Sequence, residues 1–131
     1  MHIYNSCMSH PDRSQKFECG NAKVEIRASP SALGAAAAER AAQLIRTAVE
    51  DHGRARVIVA TGNSQIPLVE ALVKQDLDWN RVEIFHMDEY AGIKADHPAS
   101  FRRWIKERVE ENVQPARRIT WRVMLPILKR R

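Results

Sequence analysis

The sequence predicts an α/β fold, doubly wound around a mostly parallel sheet. Two observations carry this. Short apolar runs of strand length alternate with segments of helical period. The best of those runs, Arg56-Val57-Ile58-Val59-Ala60, has an unbroken β-branched centre at Val57–Val59 rather than an alternation, as a strand covered on both faces reads.

Residues 1–22 mix Ser, Asn, His, Pro, Gly and charged residues without an apolar period, so a leader with no packed face is expected there. Lys23-Val24-Glu25-Ile26-Arg27 alternates polar and apolar as a short strand does. Ser29-Pro30 then places an N-cap before a proline of the first helical turn. Leu33, Ala37, Ala41, Leu44, Ile45 and Ala48 recur at helical spacing as the expected buried stripe, and Gly53 stops the helix. After the strand at 56–60, residues 66–74 place Leu68, Leu72 and Val73 on one helical face, and Val82-Glu83-Ile84-Phe85-His86 reads as the next strand. A last helix is expected over residues 98–113, with Phe101, Trp104, Ile105 and Val109 as its apolar stripe. The order βαβα, joined by right-handed connections, makes the architecture Rossmann-like.

One domain suffices for 131 residues, and 44% hydrophobic with 28% charged side chains is ordinary for a globular chain. No run approaches the roughly 18 apolar residues of a membrane helix, and the N-terminus has no apolar signal core, so a cytoplasmic protein with no membrane partner is expected. Cys7 and Cys19 have neither a second pair nor a His cluster beside them, which leaves free thiols and no metal site. The net charge of +5 raises nucleic acid as a partner, but its location argues against it. Six of the 21 bases and none of the 16 acids lie in residues 116–131, leaving a body of 15 bases and 16 acids. The tail has no aromatic stacking platform beyond Trp121.

Ligands of open α/β sheets bind beyond the carboxyl ends of the strands, so the loops after Ala60 and His86 are the places to search. The first, Thr61-Gly62-Asn63-Ser64-Gln65, offers a glycine for close backbone approach, small hydroxyl and amide side chains, and a following helix start, a combination that suits a phosphate. A plain Gly-Asn turn reads the same way. The second, His86-Met87-Asp88-Glu89-Tyr90-Ala91-Gly92, sets two carboxylates side by side at a strand's end. Neighbours on an extended chain point to opposite sides, so one acid can face a ligand as general base while the other makes a supporting hydrogen bond. An acidic pair at a turn is the plainer alternative, and His86 and His97, lacking a paired metal spacing, read as structural.

Read together, Ala60-Thr61-Gly62-Asn63-Ser64-Gln65, Asp78-Trp79-Asn80-Arg81-Val82, Phe85-His86-Met87-Asp88-Glu89-Tyr90-Ala91-Gly92 and Asp96-His97-Pro98-Ala99-Ser100-Phe101 resemble successive motifs of the glucosamine-6-phosphate deaminase and 6-phosphogluconolactonase family. The resemblance covers about residues 23–115, the amino-terminal half of the family's domain. Tyr90 favours the deaminase branch, because the lactonases typically carry Asp-Glu-Arg there. The resemblance implies an aldose–ketose isomerisation of glucosamine 6-phosphate followed by loss of ammonia to give fructose 6-phosphate. It assigns the catalytic acids to Asp88 and Glu89, with Asp88 moving the proton between the first two sugar carbons. Thr61, Gly62, Asn63 and Ser64 would hold the sugar phosphate. It implies no cofactor and leaves a homo-oligomer open. The glycine loop departs from the family's usual pattern, since Asn63 and Gln65 intrude and proline waits until Pro67.

The family's Gly-x-Asp-Gly-His segment, which carries the ring-opening histidine, does not occur in this sequence, so a truncated and inactive half-site is expected. Past Pro115 the tail ceases to resemble the family. Back-translation from Ile119 in another frame can give Tyr-Leu-Ala-Gly-Asp-Ala-Ala-Asp-Pro-Glu, which looks like the family's continuation. A reading-frame slip would therefore explain both the lost resemblance and the concentrated positive charge of residues 116–131.

Overall fold

The computed structural model describes residues 15–113 together with the backbone of 120–123. The first two strands, β1 (Gln15–Cys19) and β2 (Ala22–Ile26), form an antiparallel hairpin turning at Gly20, whose φ is +60°. Residues 15–19 thus pair as a strand where the sequence suggested only a leader. Their pairing is a backbone affair, because every residue of β1 is exposed and a ladder needs no apolar period to close.

Helix α1 (Pro30–His52) begins and ends where its capping residues require. Ser29 Oγ accepts from the Ala32 N–H at 3.1 Å, Pro30 occupies the first turn, and Gly53 closes the helix at φ +71° with its N–H on the Val49 carbonyl at 2.8 Å. The buried stripe matches the expected one in part. Ile45 is buried and Ala41 and Ala48 pack against the core as expected, but Gly34, Ala38 and Ala42 face inward in place of Leu33 and Leu44, which are 50% and 55% exposed, and of Ala37, which is exposed. The reason is close approach. At Gly34 an added Cβ would lie 2.5–2.6 Å from Pro67 atoms, two of them backbone, so small residues form the face on which helix α2 (Ile66–Leu72) rests.

Strands β3 (Ala55–Val59), β4 (Val82–His86) and β5 (Thr120–Val123) form a parallel sheet in that order. Val59 is in register with His86, and His86 with Val123. Thr120–Val123, inside the tail where no element was expected from sequence, therefore form a strand of the sheet itself, while 116–119 and 124–131 lie outside the described residues. Helix α3 (Phe101–Ile105) follows β4 after a long connection and runs on into a π-helical turn, Lys106–Glu110, later than the residue 98 start expected from sequence. Ser100 is its N-cap. One core joins Ala38, Ala42, Ile45, Val69, Leu72, Val82, Ile84, Ile105 and Val109.

That core lies on one face of the sheet. A sheet that grows in one direction by crossovers of one hand places its helices on one side, and β3, β4 and β5 advance in one direction. The outer face carries Ile58, 62% exposed, in register with Phe85, and the Arg56–Glu83 ion pair at 3.0 Å. Among the described residues the expectation of strands covered on both faces is therefore met on the inner face alone.

Candidate functional site

Parallel pairing of β3 with β4 sends the 60–65 and 87–100 connections off the same edge of the sheet, from adjacent strands. In the first, Gly62 is fully extended at φ 172°, a backbone any residue adopts, and an added Cβ there would meet nothing within 4 Å. Neither strain nor packing within the described residues requires glycine at this point. Asn63 and Ser64 are exposed, on a 3-10 turn, Asn63–Gln65, that leads into α2. The Thr61 hydroxyl oxygen is buried with no hydrogen-bond partner among the described residues. At seven residues α2 supplies a modest dipole, so any pull on an anion rests mainly on the loop's own N–H, hydroxyl and amide groups.

The second connection separates its two acids. Asp88 is exposed and has no hydrogen bond or ion pair among the described residues. Glu89 has a side chain only 3% exposed and is saturated. Its Oε1 accepts from the Tyr90 and Phe101 N–H groups, both at 3.1 Å. Its Oε2 accepts from the Ser100 hydroxyl at 2.8 Å, the Arg102 N–H at 3.1 Å and Arg102 Nε at 3.2 Å. Burial pushes this carboxyl up, but the N–H groups of Arg102 and Phe101, the Ser100 hydroxyl and the Tyr90 N–H outweigh it and hold it at about 2. Arg102 also donates to the Ile93 carbonyl at 2.6 Å, and Arg103 to the Asp96 carbonyl at 3.1 Å.

His86, the last residue of β4, is 3% exposed with both ring nitrogens unpartnered among the described residues, and its ring lies 5.3 Å from that of Phe101. Phe101 meets Tyr90 on its other contact at 5.1 Å. His97 Nδ1 accepts from the Ala99 N–H at 3.1 Å, a turn-closing bond. His86 thus packs on Phe101 and His97 closes a turn, and among the described residues no three His, Cys, Asp or Glu side chains are placed to hold a metal. No described helix is long and apolar enough to cross a membrane.

A groove of about 840 Å3 lies on the α1 side of the glycine loop and is lined by Arg27, Ser29, Leu33, Asn63, Ser64 and Pro67 among others. Neither Thr61, Gly62, Asp88 nor Glu89 lines it, so the two loops share an edge of the sheet without sharing a described cavity. The residues missed by sequence reasoning are Ser100 and Arg102, which complete the Glu89 cluster. The signal for Ser100 was present as a serine just before the apolar stripe that opens with Phe101.

A parallel α/β sheet with a glycine loop and an acidic loop at the carboxyl ends of adjacent strands defines a class of small-ligand proteins. Within that class, the chain belongs to the glucosamine-6-phosphate isomerases/6-phosphogluconolactonase family, whose model matches residues 28–127. The match runs past residue 115, where motif reading had placed its end. The chain is 32% identical over 98 residues to the glucosamine-6-phosphate deaminase of Arthrobacter sp. (strain FB24), covering 72% of this chain and 36% of that protein. It is 37% identical over 93 residues to that of Streptomyces avermitilis, covering 68% and 34%. A solved 6-phosphogluconolactonase from Shewanella baltica OS155 matches with a TM-score of 0.66 at 28% identity, over 76% of this chain and 42% of that one. The chain thus spans about a third of the length of the curated relatives it matches.

Proposed function

We propose that this chain carries the acid-bearing half of a cytoplasmic sugar-phosphate site that acts on glucosamine 6-phosphate. The observation that carries the reading is the division of the acid pair: among the described residues Asp88, exposed just past the end of β4, has no hydrogen bond or ion pair, while Glu89 beside it is fully occupied. A general base must reach its carbon acid with an unengaged lone pair, and of the two acids Asp88 alone has one. In this reading Asp88 takes the proton from the carbon bearing the amino group and returns one at the neighbouring carbon, an aldose–ketose shift that precedes loss of ammonia. Among the described residues nothing in the fold requires glycine at position 62, and the open space beside it leaves room for the close approach of a ligand. The phosphate then lies against the backbone of Thr61 and Gly62 and the side chains of Asn63 and Ser64.

Tyr90 after the acid pair supports the deaminase branch. The Shewanella likeness supports a second reading, a lactonase-like hydrolase on the same frame. Titration of 15N-labelled protein with glucosamine 6-phosphate, and separately with 6-phosphogluconate, tests this. The expected outcome is amide shifts confined to residues 61–65 and 87–90, stronger with the amino sugar. Shifts that map to 116–131 would instead make the basic tail the anion site and sink the reading.

A further inference from the structure

The acid pair divides its labour in a way that makes one residue responsible for the other. The connection from β4 to α3 is long, and Glu89 reaches from its first turn to its last: one carboxylate gathers the N–H groups of Tyr90, Phe101 and Arg102, the Ser100 hydroxyl and the Arg102 guanidinium. Ser100 is 1% exposed, so the far end of the loop is sealed where Glu89 grips it. Arg102 then holds Ile93, and Arg103 holds Asp96, which binds the middle of the loop to the same short helix. Glu89 is drawn inward to α3, its side chain only 3% exposed, while its neighbour Asp88 is exposed at the sheet edge.

We propose that Glu89 is the positioning residue that fixes the direction of the Asp88 carboxylate, by clasping both ends of the 87–100 loop. The proposal rests on the reading of Asp88 as the base for its functional meaning, but its physical content does not. Glu89 performs no proton transfer, since each oxygen is filled by charged or backbone donors. It acts through Asp88 alone.

The test replaces Glu89 by glutamine, which keeps the shape, loses the charge and turns one acceptor oxygen into a donor that faces N–H groups. Hydrogen exchange of the Tyr90, Phe101 and Arg102 amides is expected to quicken by at least about tenfold, the factor a charge-assisted hydrogen bond is worth. A merely structural role would stop there. The positioning role also requires the Asp88 carboxyl 13C resonance, sharp in the parent, to broaden or double, while the core amides of β4 and α1 keep their protection. Unchanged exchange at the three amides overturns the clasp, and quickened exchange with an unchanged Asp88 resonance overturns the positioning. If the glutamine variant fails to fold, Ser100→Ala removes one donor and keeps the charge, and the same two readouts decide at smaller amplitude. Neither readout uses a sugar phosphate, so absence of sugar-phosphate binding by the parent chain would sink the proposed function and leave the clasp standing.

Discussion

Glu89 and Asp88 show how much a single peptide step separates two identical functional groups. The folded-state pKa of Glu89, about 2, lies below its ordinary value near 4.5, so the unfolded chain takes up that proton first as the medium acidifies. Its contribution to stability is complete above about pH 4.5 and is lost as pH falls from there towards 2. Denaturant midpoints measured between pH 6 and 3 are expected to fall with pH in the parent and to fall less steeply in Glu89→Gln. Parallel slopes in the two proteins would mean that other carboxylates carry the acid sensitivity. Gly62 gives the complementary prediction. Alanine there meets no atom and needs no unusual backbone, so Gly62→Ala should change stability by less than about 0.5 kcal/mol while weakening phosphate binding. A large loss of stability would show that the fold itself needs the glycine. At this scale the sequence announced the acid pair and the glycine loop through residue type alone. Which acid is free was not readable, because it depends on Ser100, Phe101 and Arg102 arriving from eleven to thirteen positions away.

Helix α1 illustrates what pattern reading captures in an element and what it misses. Its ends were legible because Ser29, Pro30 and Gly53 act locally through their own backbone preferences. Its buried face was displaced by one residue because hydrophobic size picked Leu33, Ala37 and Leu44, whereas contact with α2 selects the smallest side chains. Gly34→Ala tests that account. Helical propensity alone would make the change favourable by about 1 kcal/mol, yet the new methyl would press on the backbone of Pro67, and forcing the two helices apart costs roughly 1–3 kcal/mol. Net destabilisation is expected in urea titrations. The exposed neighbour serves as control: Ala35→Gly should cost about 1 kcal/mol through propensity only. If Gly34→Ala raised the midpoint, α1 and α2 would not be in close contact at this crossing.

Among the described residues the sheet has an inner and an outer side, and the molecule's stability should be distributed accordingly. Alternation along β4 was legible as strand, but the assignment of both faces to the interior was not, because a β-branched run such as 56–60 reads alike whether its second face is covered by helices or open. On the inner side Ile84 is 3% exposed among Ile45, Val69 and Val109, so Ile84→Ala removes well-packed methyl groups and is expected to cost roughly 2–5 kcal/mol. On the outer side Ile58 is 62% exposed beside Phe85 and the Arg56–Glu83 pair. Lysine in its place keeps a long apolar stem on the sheet while its charge reaches water, so Ile58→Lys should lie within about 1 kcal/mol of the parent. The same open face, an apolar pair flanked by one basic and one acidic group, should draw copies together as concentration rises. Sedimentation velocity is expected to show concentration-dependent association in the parent and little in Ile58→Lys. A loss at Ile58→Lys as large as that at Ile84→Ala would show that another part of the polypeptide covers this face and that the sheet is buried on both sides, as its sequence first implied.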